Sequence, residues 1–185
     1  MLKQLCCFVT ILLTFFTCTG ELQAEGSYSM PAGIMRVRLK ASAQKPLALP
    51  FYPFDGDLNN LFHKQLTGAA VKNRSDLVYI WDNASQRYKS FFKAENTGDD
   101  TKNGKFFEDD ISWSVAGIKL APGTGFIVQN NQIFDQNLFL FGRVILDDSK
   151  SITLSPGINL IGYPFTSNLY LNSSKIGRAS CRERV

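Results

Sequence analysis

Strict alternation of apolar and charged residues is the feature that most constrains the fold of this chain. In MRVRLK at 35–40, Met35, Val37 and Leu39 fall on one side of an extended strand and three cations fall on the other. This pattern is typical of a strand with one buried and one solvated face. Further strand candidates lie at 46–54, 76–82, 87–92, 125–130, 137–146, 151–154 and 158–165. Clusters of Gly, Pro, Asn, Asp and Ser separate them, so the sequence predicts a mainly β fold.

Three of these segments allow finer predictions. The prolines in PLALPFYPF at 46–54 favour an edge strand or a bend. DLVYIWD at 76–82 is apolar on both faces, which indicates a central strand. RYKSFF at 87–92 follows a short polar turn and predicts a hairpin. Alternation is expected to direct four aromatic residues inward: Tyr79, Trp81, Tyr88 and Phe92.

One segment favours a helix. Leu58, Leu61 and Leu66 fall on one helical face, together with Phe62, between a capping Asp57 and a terminating glycine. The predicted helix covers about 57–67. The predicted fold class is an antiparallel β-sandwich or small barrel with one short helix docked on it.

The two ends of the chain carry signals of their own. Residues 1–24 combine Lys3, a short apolar run and a small residue at Ala24, which predicts a cleaved secretory signal peptide. No later apolar run is long enough to predict a transmembrane segment. Residues 176–185, IGRASCRERV, resemble a translated sequencing adapter, so they are set aside as an adapter-derived tail and the chain is interpreted as a fragment.

Excluding both ends changes the composition. The four cysteines all lie outside 25–175, so neither a disulfide framework nor a thiolate metal site is expected. Lys plus Arg falls from 20 to 16 and Asp plus Glu from 16 to 14, so the net charge falls from +4 to +2. A nucleic-acid partner is therefore not expected.

An internal repeat is indicated by two similar segments. Residues 36–54 and 151–165 each contain a short alternating strand, a polar turn, an apolar strand and a proline–phenylalanine pair. Chance similarity of two hairpins is the alternative. The repeat interpretation predicts a first β-unit at 25–149 and the start of a truncated second unit at 150–175.

Several motifs in fixed order resemble those of a known family. They are PAG at 31–33, GD with LF at 56–62, VYIWD at 78–82, PGTGF at 122–126 and PGINLIGYP at 156–164. In this order they resemble uncharacterised secreted β-repeat proteins of verrucomicrobial and planctomycete-type bacteria. Thr124 and Ile127 depart from the residues most often found in that family. The resemblance implies an envelope or extracellular β-repeat protein and no enzymatic role.

Candidate catalytic residues are few. His63 is the one histidine of the chain and lies off the predicted apolar helix face, as expected of a solvated residue. Asp55 and Asp57 could form the carboxylate pair of a glycosidase beside several aromatic residues. A turn followed by a helix N-cap explains the same two residues and is the preferred interpretation.

The polar loop at 95–110 contains the candidate metal ligands. Asp99, Asn103 and Asp110 occupy positions 1, 5 and 12 of a calcium-loop pattern, which Thr101 and the final aspartate break. Weak calcium binding is one interpretation, and an exposed hairpin loop is the other. Outside this loop no cofactor is expected.

Aromatic residues near the same loop are the candidate ligand-binding residues. Phe106, Phe107 and Trp113 are expected to be exposed and could stack on sugar rings. The sequence therefore favours a non-enzymatic secreted or outer-envelope β-domain with a structural or adhesive role. The alternative is a carbohydrate-binding module that uses these three aromatic side chains. Expected partners are glycans or other envelope proteins.

Overall fold

A computed structural model of the chain describes residues 30–109, 116–147 and 149–166. It contains eight strands: β1 (Ala32–Leu39), β2 (Gln44–Ala48), β3 (Phe51–Pro53), β4 (Leu77–Asp82), β5 (Arg87–Lys93), β6 (Phe106–Glu108), β7 (Gly125–Gln129) and β8 (Gln136–Val144). One α-helix, α1 (Leu58–Leu61), and one 3₁₀ turn (Lys72–Arg74) accompany them. The predicted mainly β fold is confirmed.

The strands form two antiparallel sheets. One has the order β1-β8-β3 and the other the order β2-β7-β4-β5-β6. Phe126 and Val128 of β7 share one core cluster with Leu138 and Leu140 of β8, so the two sheets pack against each other as a sandwich. In the described chain the sheets keep open edges and do not close into the small barrel that was the alternative.

The chain changes sheets at the proline-rich segment. Residues 46–54 form the end of β2 and all of β3, which are edge strands of different sheets. The Ala43 carbonyl accepts a hydrogen bond from the Asn130 N–H at 3.0 Å, so alternation directs the backbone of Pro46 towards the free edge of β2. A residue without an N–H is tolerated there. The predicted edge position and bend are both confirmed.

The helix is shorter than predicted but buries the same side chains. The α-helix ends at Leu61, and Lys64 adopts a left-handed conformation with φ of 57°. Turns replace helix over the rest of 57–67 because a left-handed residue interrupts the repeating hydrogen bonds. The predicted apolar face is nevertheless buried in full: Leu58, Leu61, Phe62 and Leu66.

The predicted orientation of the aromatic residues in β4 and β5 is wrong. Val78, Ile80 and Phe91 point into the main core. Alternation therefore places Tyr79, Trp81, Tyr88 and Phe92 on the opposite face of the five-stranded sheet. Since both faces of β4 are apolar, the sequence pattern could not tell which face meets the other sheet.

Residues 151–166 lie across one end of the five-stranded sheet without forming a strand. The SPG turn is present, with Gly157 at φ of 92°, but 151–154 and 158–165 make one isolated bridge, between Thr124 and Ile161. The strand predictions for these two segments are wrong. The repeat boundary near 150 stays a prediction.

The sequence predicts no transmembrane segment after residue 24, and the helices of the structure bear on this prediction. Across the described ranges, no helix is long and apolar enough to span a membrane. The predicted signal peptide and the adapter-like tail lie outside the described residues.

Candidate functional site

The predicted sugar-stacking residues do not form an exposed surface. Phe106 is fully buried in the main core, where its ring centroid lies 6.2 Å from that of Phe62. Phe107 is also buried, in a second cluster on the outer side of the sheet beside Phe92, at 6.3 Å between centroids. The expectation that both are exposed is therefore corrected. Trp113 lies outside the described residues.

These two phenylalanines are buried because the segment around them is a strand. Residues 106–108 pair with β5 as β6, so consecutive side chains point to opposite faces of the sheet. One face meets the other sheet and the outer face carries its own apolar cluster: Leu77, Phe92, Ala94 and Phe107. The prediction that this segment belongs to the polar loop is therefore wrong, since residues 106–108 form a strand.

The acidic loop is a hairpin loop whose polar side chains bind one another. One carboxylate oxygen of Asp99 accepts hydrogen bonds from the Thr101 hydroxyl at 2.6 Å and the Thr101 N–H at 3.0 Å. The other oxygen lies 3.3 Å from the Lys102 ammonium. The side-chain oxygen of Asn103 accepts bonds from both the N–H and the hydroxyl of Thr97.

The described residues do not contain a complete set of ligands for the predicted calcium site. The Thr101 hydroxyl, followed by the Thr101 N–H and Lys102, lowers the pKa of Asp99. Asp110 lies outside the described residues. Within the described ranges, no group of three or more His, Cys, Asp or Glu side chains is arranged to hold a metal ion. Weak calcium binding stays a prediction, and the hairpin-loop interpretation accounts for the contacts of Asp99 and Asn103.

Asp55 and Asp57 organise the start of α1. Asp57 caps the helix by accepting a hydrogen bond from the Asn59 N–H at 2.9 Å. Asp55 accepts bonds from the Asp57 N–H and the Asn60 side chain, and these two bonds lower its pKa. A glycosidase acid needs a raised pKa, so Asp55 is poorly suited to that role. His63 is exposed, as expected of a solvated residue.

A buried polar network occupies the end of the sandwich near β4 and β8. The carboxylate of Asp76 is fully buried and accepts bonds from the N–H groups of Asn131 and Thr67, at 2.9 and 2.7 Å, and from the Gln136 amide at 3.0 Å. Asn130, also buried, accepts from the same Gln136 amide at 2.9 Å. In the described chain no buried side-chain nitrogen or oxygen lacks a hydrogen-bond partner. This network is saturated and therefore structural.

Three aromatic rings form a surface that the sequence analysis assigned to the core. We call Tyr79, Trp81 and Tyr88 the outer aromatic patch. The Trp81 and Tyr88 centroids lie 4.9 Å apart at 77°, and those of Tyr79 and Tyr88 6.5 Å apart at 85°. Tyr88 is 44 % exposed, and the other two are half-buried. Edge-to-face contacts of this kind favour the observed ring orientations by about 0.5–1.5 kcal/mol for each pair.

Segment 156–161 forms one wall beside this patch. The Trp81 indole N–H donates to the Ile158 carbonyl at 2.6 Å. The Gln86 side chain bonds the Ile158 backbone by accepting from its N–H at 2.7 Å. A cavity of about 140 Å³ lies between this segment and the sheet, lined in part by Trp81, Asn83, Thr124 and Asn159. An aromatic wall beside polar side chains is a common composition for a ligand site.

Comparison with protein-family models, with curated proteins and with solved structures finds no match for the chain. The resemblance to secreted β-repeat proteins therefore stays a prediction that depends on the quoted motifs.

Proposed function

We propose that the protein is a non-enzymatic secreted or cell-envelope β-domain with a structural or adhesive role. The observation that carries this proposal is the outer aromatic patch. Its rings are fixed by edge-to-face contacts, and Tyr88 remains 44 % exposed. Aromatic side chains that are rigid and exposed lose little conformational entropy on binding and are enriched at protein contact surfaces.

Four carboxylates of the described residues support a non-catalytic role. Asp55 and Asp57 hold the start of α1, Asp76 joins the buried network, and Asp99 orders a hairpin loop. Each is committed to hydrogen bonds that stabilise the fold. A glycoside hydrolase would instead present two carboxyl groups to a shared substrate space.

A cell-fractionation experiment tests the proposal. We expect a secreting bacterial cell to cleave the signal peptide, so that the exported chain begins at Glu25. We expect this chain to stay bound to the outer envelope. Replacing both rings, Trp81→Ala with Tyr88→Ala, is expected to shift the chain into the medium. Phe134→Ala is the matched control because Phe134 is exposed and lies before β8, away from the patch. Equal retention of both variants would contradict an adhesive role for the patch.

Carbohydrate binding is the second candidate, and the cavity beside Trp81 favours it. The residues that carry it are Trp81 and Tyr88 in place of Phe106 and Phe107, which are buried. Polar side chains beside an aromatic wall suit a sugar, whose hydroxyl groups and apolar ring faces need both. A glycan array tests this candidate. Signals that disappear in Trp81→Ala and persist in Phe134→Ala would support it, and an array with no signal would reject it.

A further inference from the structure

Within the described ranges, one edge of β1 presents backbone groups that no strand pairs with. The Val144 N–H donates to the Pro31 carbonyl at 2.9 Å, so the odd-numbered residues of β1 face β8. The N–H and C=O groups of Ile34, Arg36 and Arg38 therefore point away from the sheet. Among the described residues, no backbone hydrogen bond reaches those of Ile34 or Arg36. An edge of this kind can accept another strand.

Two cavities lie beside this edge. One of about 500 Å³ is lined in part by Ile34, Met35, Phe51 and Phe165. The other, of about 310 Å³, is lined by Arg38, Lys40, Ala43, Gln44 and Lys45. Most residues of the first lining are apolar, although Arg36 also borders it, and three residues of the second lining are cations. Both cavities border β1, so side chains of an incoming strand would find an apolar space near Met35 and a cationic one near Arg38.

The charge around the edge favours an acidic strand. Arg36, Arg38, Lys40 and Lys45 bring four cations to it, and Asp135 is the carboxylate that pairs with Arg38, at 2.7 Å. The Arg36 guanidinium bonds the neutral Asn137 side chain and lies 5.9 Å from the Phe139 ring centroid, so its charge is not neutralised by that contact. Directly opposed residues of paired strands share a face, which would place partner carboxylates next to Arg36 and Arg38.

The same charge disfavours a second copy of the chain at this edge. Pairing two β1 edges would bring the arginines of both copies together on one face. Like charges in directly opposed positions destabilise strand pairing.

We propose that the β1 edge is a strand-acceptor site for an extended peptide that alternates apolar and acidic residues. The peptide adds a fourth strand to the three-stranded sheet beside β1. In antiparallel pairing its acidic residues lie opposite Ile34, Arg36 and Arg38, and their backbone groups bond the free N–H and C=O groups of Ile34 and Arg36. The Arg38 carbonyl already accepts a hydrogen bond from the Lys45 ammonium at 3.4 Å. Its apolar residues lie on the same face of the sheet as Met35 and Val37, where they cover the edge of the sandwich. Main-chain bonds give affinity, and the alternating side chains give specificity.

Fluorescence anisotropy with a labelled peptide, VEVEVEV, tests the proposal on the full secreted chain. We expect saturable binding. N-methylation of the glutamate amides removes the donors that face β1 and is expected to abolish binding. N-methylation of the valine amides, which face away from β1, is the matched control and is expected to preserve it. Equal loss, or equal binding, of the two methylated peptides would overturn strand addition.

Charge reversal tests the electrostatic part. Arg36→Glu is expected to weaken VEVEVEV binding by about tenfold. Lys105→Glu is the matched control because Lys105 is exposed before β6, on a different sheet. Its binding should match that of the original chain. Circular dichroism melts check that both variants fold.

Three results would overturn the proposal. The first is no saturable binding by the original chain. The second is competition by heparin oligosaccharides as strong as that by unlabelled peptide. This result would mean that the site binds polyanions through charge alone, without strand pairing. The third is a stable dimer in analytical ultracentrifugation that the peptide dissociates, which would assign the edge to a second copy.

Discussion

The side chain of Gln65 makes both hydrogen bonds with the backbone of Phe139 that a neighbouring strand would make. Its amide nitrogen donates to the Phe139 carbonyl at 2.9 Å, and its oxygen accepts from the Phe139 N–H at 2.7 Å. This side of β8 needs a substitute because β3 contains three residues and pairs with β8 at Gly142–Val144. Gln65 thus extends the hydrogen bonding of the sheet without a strand.

Replacing this amide tests its contribution. Gln65→Leu removes both bonds and is expected to lower the free energy of unfolding by about 1–2 kcal/mol, since each net hydrogen bond contributes about 1 kcal/mol. Urea denaturation followed by circular dichroism measures the change. Gln44→Leu is the control because Gln44 is exposed and its amide donates to one side chain, that of the half-buried Gln129. A loss for Gln44→Leu as large as that for Gln65→Leu would contradict the account.

The carboxylate of Asp76 is expected to be the least replaceable polar group of the network. Asp76→Asn places an NH₂ group among the donors that now bond the carboxylate, those of Thr67, Asn131 and Gln136. A buried donor facing other donors is expected to cost about 2–4 kcal/mol of unfolding free energy. The exposed Asp147→Asn is the control. A change below about 0.5 kcal/mol in Asp76→Asn would rule out this role.

Much of the sandwich could be predicted from local sequence. The alternation of Met35, Val37 and Leu39 predicted β1, the turn at 83–86 predicted the β4–β5 hairpin, and the prolines at 46–54 predicted sheet edges. These features depend on residues close together in the chain, where period and turn chemistry act directly.

The candidate site could not be predicted in the same way. Trp81 belongs to β4, whose two faces are both apolar, so alternation groups its side chains without saying which group meets the other sheet. Tyr88 belongs to β5, where Arg87 and Lys89 share a face with the buried Phe91, so the position of these charges indicated the wrong face. That choice depends on tertiary packing. Phe106 and Phe107 were wrongly predicted to be exposed because their strand has three residues, which are too few to show an alternating pattern beside a polar loop. Residues 158–165 have strand composition, yet make a single bridge, at Ile161.

Close packing of β8 against β3 predicts a specific intolerance at Gly142. A Cβ added there would contact the Phe51 ring and the Tyr52 carbonyl closer than van der Waals distance. Gly142→Ala is expected to lower the free energy of unfolding by about 1–3 kcal/mol. Gly117→Ala is the matched control because a Cβ there meets nothing within 4 Å. Thermal melts of the two variants compare them, and equal stability would contradict the packing described for β3.

The pKa of Asp135 predicts part of the acid sensitivity. The Ala41 N–H, followed by the Arg38 guanidinium, lowers this pKa below its unfolded value. A lowered pKa stabilises the folded state above the unfolded pKa, and this contribution is lost as the pH falls through the folded pKa. Asp135→Asn is therefore expected to unfold at lower urea than the original chain at neutral pH, and the difference should shrink as the pH falls below the unfolded pKa and through the lowered folded pKa. A difference in urea midpoint that stays unchanged in acid would show that the ionised Asp135 carboxylate is not its cause.

The central claim is that the domain binds envelope material through the outer aromatic patch. Adsorption isotherms of the purified chain on isolated cell envelopes test it most directly. The account predicts saturable adsorption that falls at least about tenfold in the Trp81→Ala, Tyr88→Ala double variant, equivalent to about 1.4 kcal/mol. Phe134→Ala should adsorb like the original chain. Equal adsorption of all three folded proteins, or no adsorption by the original chain, would contradict the claim.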